Sequence, residues 1–207
     1  MIDPFIASFT GTAVEFFETV AIAYAIARAG YPREALSGLV LGHVLVFAVA
    51  VFLLPFLAFF PVFWLRLVAA VLLASMGLHW SFKSLKRMRE QRRPGWVEDP
   101  LGAVRVTPAT SSAEKFSLFV FFVMVKSSAV EAAEIVLVIF PVASATSAWS
   151  QVFWGVVAGM AAVSAAALAF RGQLRKVPEV KLKLVTGFIL AVIGTSWLLE
   201  LYRDYSV

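Results

Sequence analysis

Four glutamates carry the chemistry legible in this chain of 207 residues. Glu15 and Glu18 stand three residues apart inside one long apolar segment, and Glu131 and Glu134 repeat that spacing inside another. Ionised carboxylates within a membrane span are expensive, so they are rare and usually face a functional interior. The spacing puts both members of a pair on one helix face. Glu15 lies about eleven residues into its segment, roughly 16 Å deep at ~1.5 Å per residue and so near mid-membrane. If the two segments meet, four carboxylates converge and repel one another strongly in a low dielectric. Cations or protons can relieve that repulsion. Oxygen ligands without thiolate suit hard or borderline divalent ions such as Ca²⁺, Mn²⁺ or Fe²⁺. Protons compete for the same oxygens, and a site that holds either ion is the basis of cation–proton exchange. The competing reading makes each glutamate a structural residue bonded to a neighbour's hydroxyl. Two symmetric pairs weigh against it, since each copy repeats the cost.

Other polar residues surround the pairs. Thr12 and Ser128 occupy matching positions one turn before each first glutamate, with Thr10, Thr19 and Ser127 nearby. These hydroxyls either complete a coordination shell or serve ordinary helix packing. His43 offers a nitrogen ligand or is a satisfied core residue. Its counterpart in the second half is Met160, which argues against a symmetric role. His79 is assigned nothing. Lys126 precedes Glu131 by five residues, about 140° around a helix. It is either a built-in counter-ion or a side chain snorkelling to the membrane surface.

The elements that must position these residues follow from composition. The chain is 61% hydrophobic and 15% charged, against roughly half and a quarter in soluble domains. Its apolar residues fall in blocks of about twenty. Helices are expected at residues 4–28, 34–58, 62–86, 113–142, 148–170 and 180–202, with Pro32 and Pro61 at breaks and Ser111-x-x-Glu114 as a capping box. Six spans leave no room for an appended soluble domain. The expected fold class is an all-α integral membrane protein without a cleavable signal peptide. Cysteine is absent, which excludes disulfides, thiolate metal sites and thiol redox chemistry. No Ser/His, Cys/His or His-rich motif lies in the spans, so an enzyme is not expected.

The net charge of +5 reads as membrane orientation rather than nucleic-acid binding. Arg28 and Arg33 follow the first span; Lys83, Lys86, Arg87, Arg89, Arg92, Arg93 and Arg105 occupy the long loop and its flanks. Arg171, Arg175, Lys176, Lys181 and Lys183 occupy the loop before the last span and the start of that span. The positive-inside rule makes these loops, including 83–112, cytoplasmic and both termini external, in an expected prokaryotic plasma membrane. The basic loop has anionic lipid headgroups as its natural contact.

The halves repeat beyond the glutamates. Glu15 and Glu18 map onto Glu131 and Glu134 at an offset of 116. At an offset of 117, Gly38-x-x-x-Gly42 falls on Gly155-x-x-x-Gly159, Leu65-Arg66-Leu67-Val68 on Leu182-Lys183-Leu184-Val185, and Gly77 and Trp80 on Gly194 and Trp197. Residues 1–90 therefore form one three-helix repeat, 91–112 a solvated cytoplasmic loop, and 113–207 a second repeat. Three spans per repeat is an odd number, so the copies have inverted topology, as in transporters whose sites lie at the repeat interface. The paired Gly-x-x-x-Gly motifs allow close helix approach.

In these residues the chain resembles the LysE-type exporter superfamily. It is similar to the Golgi-type manganese/calcium–proton exchangers, which carry Glu-x-Gly-Asp-(Lys/Arg)-(Ser/Thr) twice, and to iron permeases, which carry Arg-Glu-x-x-Glu on helices 1 and 4. Val14-Glu15-Phe-Phe-Glu18-Thr19 and Val130-Glu131-Ala-Ala-Glu134-Ile135 match the first acid of both families and the iron-permease spacing. The Gly, the basic residue after the second acid and the Arg before the first are missing. The resemblance implies cation transport. The expectation is a divalent-cation transporter, working by proton exchange at Glu15, Glu18, Glu131 and Glu134, with no permanent cofactor. Its partners are metal ions, protons and lipid, and a homo-oligomer is compatible. The alternatives are an exporter of small organic cations or amino acids, and a non-transporting assembly factor.

Overall fold

The computed structural model describes residues 4–57, 59–93, 99–108, 116–169 and 178–205. The described residues form helices α1 (Pro4–Arg28), α2 (Pro32–Leu57), α3 (Val62–Arg89), a single turn α4 (Pro100–Ala103), α5 (Leu118–Thr146), α6 (Trp149–Ala169) and α7 (Glu179–Tyr205). All are α-helical. Five of the six long helices are long and apolar enough to cross a membrane: α1, α2, α3, α6 and α7. The sixth, α5, is 29 residues long and carries Lys126, Glu131 and Glu134. The most apolar of them, α2, buries little of its surface, and Val44, Val49, Phe52 and Phe56 point outward from it. An apolar face that large is soluble only in an apolar medium, so the chain reads as a multi-pass membrane protein.

Helix ends differ from expectation for local reasons. Pro32 opens α2 rather than preceding it, because a proline at the first helical position gives up an N–H that would be unpaired anyway. The expected start of the fourth long helix at 113, with its Ser111–Glu114 box, lies outside the described residues. In the described chain Ser117 caps α5, accepting from the Val120 N–H at 3.4 Å, while the Ser117 N–H donates to the Glu34 carboxylate at 2.7 Å. One carboxylate at the start of α2 thus helps satisfy the free N–H groups of α5. Pro141 is accommodated inside α5, which runs on to Thr146 and ends at Ser147 in a left-handed conformation (φ 55°).

Within the segment 91–112, the described residues 99–108 are more than a solvated connector. Asp99 caps α4 by accepting from the Gly102 N–H at 3.0 Å. Leu101, Val104 and Val106 then pack on Ile22, Ala23 and Ile26 of α1. Burying those apolar groups ties the loop to the bundle.

The long helices pack in pairs: α1 along α6, α2 along α5, and α3 along α7, with α1 also crossing α5. Glycines set the separations. A Cβ on Gly38 would meet Phe121 and Met124, and one on Gly42 would meet Val125, Ser128 and Ala129. A Cβ on Gly155 would meet Phe5 and Ser8, and one on Gly159 would meet Phe9, Thr12 and Ala13. Both pairs of helices therefore run parallel, and each contact of one pair corresponds to a contact of the other at the offsets of 116 and 117. Gly77 lies on Gly187 and Ala191, Gly194 on Ala70 and Ala74, so α3 and α7 are antiparallel. Small residues let backbones approach closely where lipid supplies no hydrophobic force between helices.

Candidate functional site

Where α1 crosses α5, the glutamates meet. Carboxylate oxygens of Glu15, Glu18 and Glu131 lie within 4.8 Å of one another. Glu15 is fully buried, Glu18 is 7% exposed and the Glu134 side chain is 32% exposed. The residue that holds them together is Lys183 of α7. Its Nζ donates to Glu18 Oε1 at 2.9 Å and to Glu15 Oε2 at 3.2 Å, and it lies 3.8 Å from Glu134 Oε2. The ammonium also sits 4.9 Å from the centroid of the Trp80 ring on α3, a distance at which the ring's negative face attracts a cation. With every group ionised, four carboxylates and one ammonium leave a formal excess of three negative charges in a partly buried site.

That excess is matched by unmet hydrogen-bonding capacity. Glu15 Oε1, Glu131 Oε2, Glu134 Oε2 and Thr12 Oγ1 are buried without a hydrogen-bond partner among the described residues. Buried acceptors are normally satisfied, and an orphaned one costs about 1–3 kcal/mol, more when charged. These oxygens could ligate a hard or borderline divalent cation, whose ligands stand roughly 2.0–2.6 Å from the ion.

The accessory residues divide. Thr12, fully buried beside Gly159, keeps its hydroxyl unpaired. Ser128, its positional twin, donates to the Gly38 carbonyl of α2 at 2.9 Å and so pins two helices. Thr19 donates to the Glu15 carbonyl of its own helix at 3.4 Å. His43 faces Phe16 and Phe47, with its Nδ1 3.0 Å from the Leu39 carbonyl oxygen. It lies outside the group of acidic oxygens. Lys126 is exposed, makes no ion pair among the described residues, and lines an open cavity of about 570 Å³ with Arg105, Ser127 and Glu131. Of the two readings of Lys126, counter-ion or snorkelling side chain, the first is not met: the ammonium beside the carboxylates is that of Lys183. Thr10 and Glu18 border a second, apolar cavity between α1, α6 and α7.

Lys183 is the site residue that sequence reasoning missed, having been counted with the basic loop before the last span. It lies four residues inside α7, close enough to that helix's start for the side chain to reach inward. Two signals marked it: its register with Arg66, and the register of Trp80 with Trp197. At the same end of the bundle, Arg93 donates to both oxygens of the buried Glu179 carboxylate at 2.8 and 2.5 Å, holding the start of α7 to the end of α3. No family model, curated protein or solved structure matches this chain.

Proposed function

We propose that this chain is a membrane transporter of divalent metal cations that exchanges them for protons, with Glu15, Glu18, Glu131 and Glu134 as the ligands and proton carriers. The observation that carries the reading is the convergence of acidic oxygens from α1 and α5, several of them buried without a hydrogen-bond partner. A buried negative excess of this size is tolerable only if cations or protons visit it. The halves act as inverted repeats, and the matched glycine contacts of α1–α6 and α2–α5 support that symmetry. Alternating access then comes from one repeat rocking against the other. Basic residues collect at the end where Glu34 meets Ser117 and Arg93 meets Glu179, and we assign that end to the cytoplasm. The cavity beside Lys126 is lined in part by Glu131, and we assign it as the entry from that side.

A second reading has a specific observation in its favour. Lys183 places an ammonium among three carboxylates and over the Trp80 ring. That is the environment an organic ammonium would seek, and it favours an exporter of small organic cations or basic amino acids.

The test is uptake into proteoliposomes loaded with a pH-sensitive dye, offering Mn²⁺, Ca²⁺ and Fe²⁺ in turn. Metal-driven proton movement that is lost in the Glu18→Gln, Glu134→Gln double variant is the expected result. Metal flux without proton movement leaves a permease. With folded protein, absence of flux for all three ions overturns the cation reading and favours the organic ammonium.

A further inference from the structure

Lys183 is costly to place where it is unless its charge has a use. A long cationic side chain near the start of a membrane helix normally runs outward to the headgroups. Here it runs inward: its side chain is only 12% exposed, and its ammonium touches Glu15 and Glu18 and lies near Glu134. Those are three of the four carboxylates that the cation reading requires. A divalent ion bound by the Glu15–Glu18–Glu131 oxygens would therefore share two ligands with an ammonium already standing 2.9 and 3.2 Å from them. Two cations cannot both occupy that space without strong mutual repulsion.

We propose that Lys183 is a tethered competitor of the transported cation: it fills the carboxylate site when cargo is absent and must withdraw from Glu15 and Glu18 for cargo to bind. This rests on the cation reading of the same four carboxylates. Trp80 is part of the device. Its ring lies 4.9 Å from the ammonium and offers a cation-attracting surface while the lysine is drawn off the carboxylates. The tether lowers by one the uncompensated negative charge of an empty site. It also sets affinity low enough for release, because every binding event displaces an internal cation. Selectivity follows from the same competition, since a divalent ion outcompetes one ammonium more readily than a monovalent ion does.

The experiment measures Mn²⁺ binding to purified full-length protein by calorimetry for wild type, Lys183→Gln and Lys183→Arg. The expected result is tighter Mn²⁺ binding by about tenfold or more in Lys183→Gln, from loss of a unit charge at contact distance. Lys183→Arg, which keeps the charge, should stay near wild type. A second measurement needs no variant: acetylation of lysines by an amine-specific reagent, mapped by mass spectrometry with and without Mn²⁺. Lys183 should become more reactive as Mn²⁺ displaces it, while the exposed Lys86 serves as the unchanged reference. Wild-type flux together with equal or weaker Mn²⁺ binding in Lys183→Gln, or Lys183 reactivity that Mn²⁺ leaves unchanged or lowers, overturns the tether and leaves the transport reading intact. Absence of both flux and binding in wild type overturns the transport reading, and the tether with it.

Discussion

Glu15→Gln isolates the charge of the most buried carboxylate while keeping its shape, and a stability ledger gives the sign of its effect. Attraction between Glu15 and Lys183 at 3.2 Å is worth roughly 5 kcal/mol at an effective dielectric of 20. Repulsion from Glu18 and from Glu131, each within 4.8 Å, is about 3.5 kcal/mol apiece with all groups ionised. Relieving the two repulsions outweighs losing the one attraction by roughly 2 kcal/mol. With all groups ionised every term scales with the same dielectric, so at a pH that ionises them the sign does not depend on its value. Two further effects act in the same direction. A neutral amide escapes the desolvation penalty of a buried charge, and its NH₂ can donate to a neighbouring carboxylate where Glu15 Oε1 has no partner. Glu15→Gln should therefore be more heat-stable than wild type in metal-free buffer, by about 4–8 °C at 2–4 °C per kcal/mol. Added Mn²⁺ should raise the wild-type melting temperature, by the equivalent of about 2.7 kcal/mol at a hundredfold excess over Kd, and leave the variant unmoved. The assay is thermal unfolding in detergent, with and without Mn²⁺. A fall of more than about 5 °C in the metal-free variant would mean that the Glu15–Lys183 pair is a structural tie, and the functional account of this carboxylate would be wrong.

Other consequences test the site's surroundings. Thr12→Val should leave metal-free stability within about 0.5 kcal/mol, because no hydrogen bond is lost, yet weaken Mn²⁺ binding several-fold; calorimetry decides. Ser128→Ala should do the reverse, destabilising by about 1 kcal/mol through loss of the bond to the Gly38 carbonyl with Mn²⁺ affinity unchanged. Gly194→Val places a branched side chain against the Ala70 and Ala74 backbone; α3 and α7 should separate, which would appear as loss of a monodisperse peak in size-exclusion chromatography. Arg66 occupies the register position of Lys183, is exposed, and makes no ion pair among the described residues. If it tethers the site from the opposite side in the other half of a transport cycle, Arg66→Gln should slow Mn²⁺ flux several-fold without altering equilibrium binding. Unchanged flux would remove that role.

Much of this protein is a consequence of local pattern. Blocks of apolar residues the length of a bilayer have few alternatives to helices, so the long helices lie close to where hydropathy and proline put them. Glutamates three apart share a helix face whatever surrounds them. A glycine spacing kept in register across both halves fixes which backbones can approach, and Gly38, Gly42, Gly155 and Gly159 do approach α5 and α1 as their spacing implies. Other features required the assembled bundle. Thr12 and Ser128 are alike in sequence position, but the packing of α2 on α5 gives Ser128 the Gly38 carbonyl to bond across helices, while Thr12 has no partner among the described residues. Val106 reads as a loop residue until Ile22 and Ile26 of α1 provide something to bury it against. By sequence Lys126, on the glutamates' own helix, is equally a counter-ion or a snorkelling side chain, and Lys183 is one member of a basic run. Helix pairing decides between them, since α7 lies along α3 and beside α1, so the Lys183 side chain spans the gap to Glu15 and Glu18 while Lys126 opens onto a cavity. Helical periodicity and burial cost are properties of a segment; which charge faces which is a property of the angle and distance between segments.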